Sequence, residues 1–217
     1  GLETSLGTKV WEPLAKSFAK NNGFEVLNEK ELNSSVPKIP EEVMHKLSDF
    51  ENKKLDDPSL KHSEYKKEIT AFINKNNIQS TQKIKMPKGE GVDIWIRKGD
   101  EEFLIDIKTV QPNAGGGPKF NRNLLKWHTF RALESDNRMD TRCMLAFPFN
   151  PHEKNYWQKS GGNVLPLIFS EEALVGNEFW DLLSGEKNTI ELIFDAFKEM
   201  GEEHFGDQFD YIFRIDK

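Results

Sequence analysis

Two aspartates and a lysine interrupt a pair of otherwise apolar segments: Asp93 in VDIWI (92–96), and Asp106 and Lys108 in FLIDIK (103–108). Carboxylates that face each other across a sheet repel, at a cost of a few tenths to about 1 kcal/mol. A lysine two residues on, projecting to the same face, offsets part of that cost, and a half-buried Asp–Lys pair without chemistry is one reading. A divalent cation offsets it better. Mg²⁺, with Mn²⁺ as a substitute, is held by one or two carboxylates while waters and substrate phosphate oxygens fill the other positions. On that reading Asp93 and Asp106 are metal ligands and the main-chain carbonyl of Ile107 completes the protein's share. Lys108 then lies near the attacking water, where its charge stabilises hydroxide and the charge developing on phosphorus. The catalytic candidates are Asp93, Asp106 and Lys108.

A β-hairpin would bring these residues together. Val92, Ile94 and Ile96 alternate with Asp93, Trp95 and Arg97, and Phe103, Ile105 and Ile107 alternate with Leu104, Asp106 and Lys108, the period of a strand. Gly99-Asp100 suits a two-residue turn with glycine at the first central position. That turn pairs Lys98 with Glu101 and Ile94 with Ile105, and sets Asp93 opposite Asp106.

The elements around the hairpin are legible from apolar spacing and from caps. Helices are expected over residues 4–20, 41–55 (opened by Pro40), 59–76 and 121–134, with a loop over 33–42. CMLAFPF (143–149) reads as a buried strand and VLPLIF (164–169) as another, weakened by Pro166. Ser170 is expected to cap a helix running through Leu183, a further helix covers 189–200, and FDYIFRI (209–215) alternates like a closing strand. The fold class is mixed α/β, a central mixed sheet flanked by helices. Residues 1–80 form a helical N-terminal region of the same domain, and 81–217 form the core. Neither GxGxxG nor GxxxxGK[ST] occurs, so no nucleotide cofactor is expected.

Beyond the hairpin, Asn113-Ala-Gly-Gly-Gly-Pro118 has little side chain to obstruct close approach, and its amides can cup an anion. Lys119, Asn121, Arg122 and Asn123 follow near a helix start, which favours phosphate. Arginine and asparagine also read guanine and adenine edges. Gln111, just past the strand, either bonds phosphate or water or caps the strand end. The DNA-binding candidates are thus Gln111, Asn113, Lys119, Asn121, Arg122 and Asn123. Glu90 is a weaker metal candidate. His128 and His152 have no partner at zinc-like spacing, and Trp95, Trp127, Trp157 and Trp180 read as core or interface.

Composition narrows the class of protein. The 217 residues carry a formal net charge of −6, yet residues 108–142 hold seven Lys/Arg against three acids and residues 171–217 hold four against thirteen. A basic middle beside an acidic tail suits a chain that receives a polyanion in one place and repels it elsewhere. Apolar runs are far shorter than the roughly 20 residues that span a bilayer, and GLETSLGTKVWEPL lacks the pattern of a signal peptide. Cys143 is alone, which excludes an intrachain disulfide and a cysteine zinc cluster. The expectation is a soluble, intracellular chain with no membrane partner.

The hairpin, Asp93-x12-Asp106-x-Lys108, resembles the active-site hairpin of the PD-(D/E)XK nuclease superfamily. The wider run from VDIWIRKGDEEFLIDIKTVQPNAGGGPKFNRNLLKWHTFRAL into MLAFPFNPHEKNYW resembles type II restriction endonucleases, especially those that read GGNCC or GGWCC. The similarity covers residues 91–157 and extends to FWDLLSG (179–185); the first ninety residues carry no matching motif. It departs from the usual pattern in having Val92 rather than proline before the first acid, and Asp106 where glutamate is commoner. The resemblance implies Mg²⁺-dependent cleavage of both strands of duplex DNA at a short palindrome, by a homodimer in the cytoplasm of a prokaryotic cell. Some relatives add an acid from an N-terminal helix; Glu12, Glu64 and Glu68 are the candidates here. A structure-specific or repair nuclease sharing the hairpin, and an inactive DNA-binding module, are the alternative readings.

Overall fold

The computed structural model describes residues 6–109, 112–134 and 139–203. A π-helical turn at Gly7–Trp11 runs into α1 (Glu12–Asn21), whose Ala15 and Ala19 let it lie close on the sheet. Then come β1 (Glu25–Val26), α2 (Glu29–Ser34) and β2 (Val36–Pro37), followed by α3 (Glu41–Asp56), α4 (His62–Lys75) and β3 (Lys83–Ile84). The hairpin is β4 (Ile94–Lys98) and β5 (Glu101–Ile107), followed by α5 (Gly117–Leu133), β6 (Asp140–Phe147) and α6 (Tyr156–Ser160). The chain continues through β7 (Ala173–Val175), α7 (Asn177–Ser184) and α8 (Thr189–Glu202). The expected strand over 209–215 lies outside the described residues.

Five strands form one mixed sheet in the order β1-β4-β5-β6-β7, with β1, β4 and β5 antiparallel and β5, β6 and β7 parallel. β2 and β3 make a separate two-stranded ribbon. The mixed α/β class expected from the sequence is the one observed. Ile94, Ile96, Phe103, Ile105 and Ile107 pack on one face with α1, α7 and α8. Leu104, Cys143, Leu145 and Phe147 pack on the other, under α5. Covering both faces explains why β5 and β6 read as nearly continuous apolar runs. A third cluster joins α3, α4 and α5 through Leu47, Phe50, Tyr65, Ile69 and Leu125. The N-terminal helices are thus built into the core, and β1 supplies an edge of the main sheet.

Three local expectations are corrected. Residues 164–169 are not a strand. Their amides close turns, Val164 onto Gly161 and Leu167 onto Val164 at 3.0 Å each, Pro166 has no amide to give, and the strand beside β6 is Ala173–Val175. Ser170 does not cap a helix: it has φ 62° and donates its amide to Ala173, and α7 starts only after Gly176. Helix α5 begins at Gly117 rather than residue 121, with Pro118 in its first turn, where a missing amide costs nothing. Gly117 sits so close to the 164–165 main chain that a Cβ there would lie 1.8 Å from the Leu165 carbonyl oxygen.

The interior also holds charge. Lys54, fully buried, pairs with Glu172 at 2.9 Å and donates to the Leu60 carbonyl. Glu172 also accepts the His62 amide at 2.7 Å and the Ile168 amide at 3.0 Å. Glu102 gathers Trp95, Arg97, Arg131 and Thr141. Burial alone would raise its carboxyl, but the Arg131 guanidinium and the other donors hold it below the usual range.

Candidate active site

The register of β4 and β5 runs as expected from Lys98–Glu101 to Ile94–Ile105. At Asp93 the regular ladder ends: its amide donates to Ile105 O at 3.0 Å, and its carboxylate accepts the Ile107 amide at 2.8 Å. Simple cross-strand facing of Asp93 and Asp106 is therefore replaced by a carboxylate that curls over the end of β5. The two acids still meet on one side. Asp106, only 6% exposed, is pushed up to about 7, by burial first, and by the charge and hydrogen bond of Asp93; Lys108 opposes this. Lys108 Nζ donates to Asp106 Oδ1 at 2.6 Å and sits 5.7 Å from the centroid of the Phe120 ring, a favourable place for a cation.

These three residues line a cleft of about 360 Å³ with Gly7, Thr8, Glu12, Asn33, Gly89, Gly91, Val92, Ile107 and Thr109. The N-terminal half contributes Glu12, Asn33 and the Gly7 turn. Of the three acids offered by the N-terminal helices, Glu12 is the one at the cleft; Glu64 and Glu68 lie exposed on α4. Burial, then the Asp93 charge, raise the Glu12 carboxyl, and Lys16, itself paired with Glu29 at 2.9 Å, pulls it back. A larger groove of about 610 Å³ runs between the β2–β3 ribbon and the start of α3, but it holds none of this chemistry.

A crowd of carboxyl oxygens facing one amine is a hard-donor site short of positive charge, and the residues fit Mg²⁺ in that sense. Among the described residues no three His, Cys, Asp or Glu side chains converge on one point. A cation here would rest on Asp93, Asp106 and a main-chain oxygen such as that of Ile107, with water and phosphate supplying the rest, as Mg²⁺ tolerates. Glu12 acts on that pair through its charge.

The residues assigned to DNA separate. Asn113 and Lys119 are exposed on the loop and the first turn of α5, and Asn163 pins that loop by donating to Pro112 O at 3.0 Å. Arg122 is half-buried and pairs with Glu51 of α3. Asn121 is completely buried, its side-chain oxygen 2.8 Å from His62 Nε2, so it serves the α4–α5 interface rather than an open surface. Asn123, 5% exposed, donates weakly to Gly89 O at 3.5 Å. Helical geometry explains this: positions 121 and 123–125 are buried, and of the four candidates on this helix only Lys119 and Arg122 reach outward. Gln111 lies outside the described residues. Glu90 does not enter the cleft as a ligand; it receives Lys126 Nζ at 2.7 and 2.8 Å, and its carbonyl receives Trp127 Nε1.

His128 is buried against His62, with ring centroids 5.7 Å apart, and burial holds both well below the usual histidine range. His152 bonds Ser160. Each indole nitrogen of Trp95, Trp127, Trp157 and Trp180 reaches a protein oxygen. The residue that sequence reasoning missed is Asn33. It stands in a short helix with no motif around it, and no spacing signal could have found it.

A five-stranded mixed sheet between helix layers, with an acid pair and a lysine where β4 begins and β5 ends, places the chain in the restriction-endonuclease-like fold class. Residues 1–201 match the family described as Type II restriction endonuclease, HinfI, and the chain belongs to that family. It is similar to the type II restriction enzyme MjaII of Methanocaldococcus jannaschii, 25% identical over 228 residues that cover 98% of this chain and 56% of that protein. It is also similar to the type II restriction enzymes HgiEI and HgiBI of Herpetosiphon aurantiacus. These are 25% identical over 111 and 116 residues, covering 50% of this chain and 39% of each enzyme. The chain thus spans about half the length of the curated relatives it matches. No solved structure matches it. No helix among the described residues is long and apolar enough to cross a membrane.

Proposed function

We propose that this chain is the cleaving part of a type II restriction endonuclease that hydrolyses both strands of duplex DNA, with Mg²⁺, at a short palindrome of the GGNCC or GGWCC kind. The observation that carries the reading is the meeting of Asp93, Asp106 and Lys108 in one cleft, in a chain that belongs to a restriction-endonuclease family. When bound between the two aspartates, the cation would neutralise their charge and polarise a phosphate oxygen and a water. Lys108 supplies a fixed positive charge beside the scissile phosphate, its amine held by Asp106 and the Phe120 ring. Glu12 at the cleft adds negative charge beside the pair, which favours cation entry.

Lys119 and the Asn113–Gly116 loop supply phosphate and groove contacts, and Arg122 joins them by exchanging Glu51 for phosphate. A homodimer matches a palindromic site, each protomer cutting one strand. The same hairpin supports a reading of the chain as a PD-(D/E)XK nuclease. The test is to incubate the protein with long unmethylated duplex DNA, with and without Mg²⁺. Discrete fragments that require the metal support the reading. Uncut DNA at every metal concentration, in a preparation that binds DNA, would refute it.

A further inference from the structure

Asp93 lies just outside β4, where the regular ladder has ended and one main-chain bond, from its amide to Ile105 O at 3.0 Å, still ties it to β5. The antiparallel cover from β1 stops at the Leu27 amide, which donates to Trp95 O at 2.9 Å. Val92, the residue before Asp93, is held on both its main-chain groups by one side chain. Asn33 Nδ2 donates to Val92 O at 2.9 Å, and Asn33 Oδ1 accepts the Val92 amide at 2.8 Å. An asparagine side chain presents an amide N–H and a carbonyl oxygen side by side, and with one of each bonded to Val92 Asn33 acts as a one-residue continuation of the sheet.

Its own carbonyl accepts the Met86 amide at 2.9 Å, so Asn33 ties both ends of the 86–92 segment. Gly91 packs against it closely, a Cβ there falling 3.1 Å from Asn33 Nδ2. Leu32 and Val92 share one apolar cluster and anchor both partners. From the other side α5 grips the middle of the segment through Lys126 and Trp127 on Glu90. Asn33 itself lines the cleft with Asp93, Asp106 and Lys108.

We propose that Asn33 is a positioning residue for Asp93: its two bonds to Val92 fix the residue from which the chain enters Asp93, whose carboxylate reaches over the end of β5. This rests on the reading of Asp93 and Asp106 as the cation pair. Loss of an outer partner that orients a ligand typically costs 10- to 100-fold in metal affinity or activity. The fold contains its own reporter, because the Ile107 amide is capped by Asp93 Oδ2 at 2.8 Å.

The experiment is hydrogen exchange on the metal-free full chain, with Mn²⁺ binding followed by electron paramagnetic resonance, for wild type and Asn33→Ala. The expected result is exchange at least tenfold faster at the Ile107 and Asp93 amides, and Mn²⁺ affinity at least tenfold weaker. The Leu145 amide, bonded to Glu172 O at 2.9 Å, should be unchanged. Unchanged Ile107 protection overturns the proposal, as does a uniform rise at Ile107 and Leu145 alike, which marks plain destabilisation. Asn33→Asp keeps the shape and the bond from the Val92 amide but loses the donor to Val92 O. With an oxygen set against Val92 O in its place, it should give the same selective rise in amide exchange at Ile107 and Asp93, and it serves if the alanine protein does not fold. A wild type that binds no Mn²⁺ removes the metal reading; the Ile107 amide then still decides the role of Asn33.

Discussion

Replacing Asp106 by asparagine should make the metal-free protein more stable while destroying its activity. Asp106 is 6% exposed, and its folded-state carboxyl stands at about 7 against 3.8 for the free side chain, chiefly through burial. A displacement of that size corresponds to about 4 kcal/mol. Because the folded value is the higher one, the stabilising contribution is complete below about pH 4 and is lost as pH rises through about 7, so by pH 8 the fold carries the whole burden. Asparagine removes the charge and keeps Oδ1 as an acceptor for Lys108, so the charged bond at 2.6 Å becomes a weaker one, a loss of up to about 2 kcal/mol. The balance is a gain of about 2 kcal/mol for Asp106→Asn at pH 8 with chelator present, shrinking toward zero or reversing at pH 5. Urea unfolding at the two pH values measures it. Adding Mg²⁺ should close the gap by stabilising the wild type alone. A variant less stable than wild type at pH 8 without metal would show that Asp106 is not the strained, charge-excess partner described.

Lys108→Ala should lower the cleavage rate by at least 100-fold while leaving the DNA dissociation constant within about threefold, as single-turnover kinetics and gel shifts will show; a normal rate would remove the lysine from the chemistry. Gly117→Ala should destabilise the fold by about 2 kcal/mol or more in urea titrations. The collision with Leu165 O outweighs the roughly 1 kcal/mol that alanine gains in a helix, and a stabilised variant would contradict the packing. Lys54→Met should cost about 3 kcal/mol by leaving Glu172 buried and unpaired. The double variant Lys54→Met with Glu172→Leu should recover part of that, and strict additivity in the cycle would argue that the two do not interact.

The hairpin was legible because its information is local. Alternation over 92–97 and 103–108 and the Gly99 turn fix the register, and five cross-strand pairs follow as the pattern requires. The helices at 12–21, 41–56, 62–75 and 189–202 were readable for the same reason, since each apolar stripe carries its own period. Short elements were not. β1, β2 and β3 have two residues each, too few for any period, and exist only because longer partners lie beside them. The segment 164–175 was misread because an apolar run says that residues are buried, not whether they lie in turns or in a strand; the parallel neighbour β6 selected Ala173–Val175. Asn121 and Asn123 showed the limit of residue type: asparagine suits a base edge, but their positions on α5 turn them inward.

The sequence by itself determined the hairpin and the acids and lysine that it carries, because strand period and turn type act within a few residues. Only the tertiary structure decided that Glu12 rather than Glu64 or Glu68 faces Asp93, that Asn33 holds the peptide before it, and that Arg122 waits on Glu51. Those choices join residues from 59 to 81 positions apart in the chain. They are set by packing α1 and α2 beside the sheet and α3 against α5, where burial of distant apolar faces, rather than any local preference, fixes what each polar group meets.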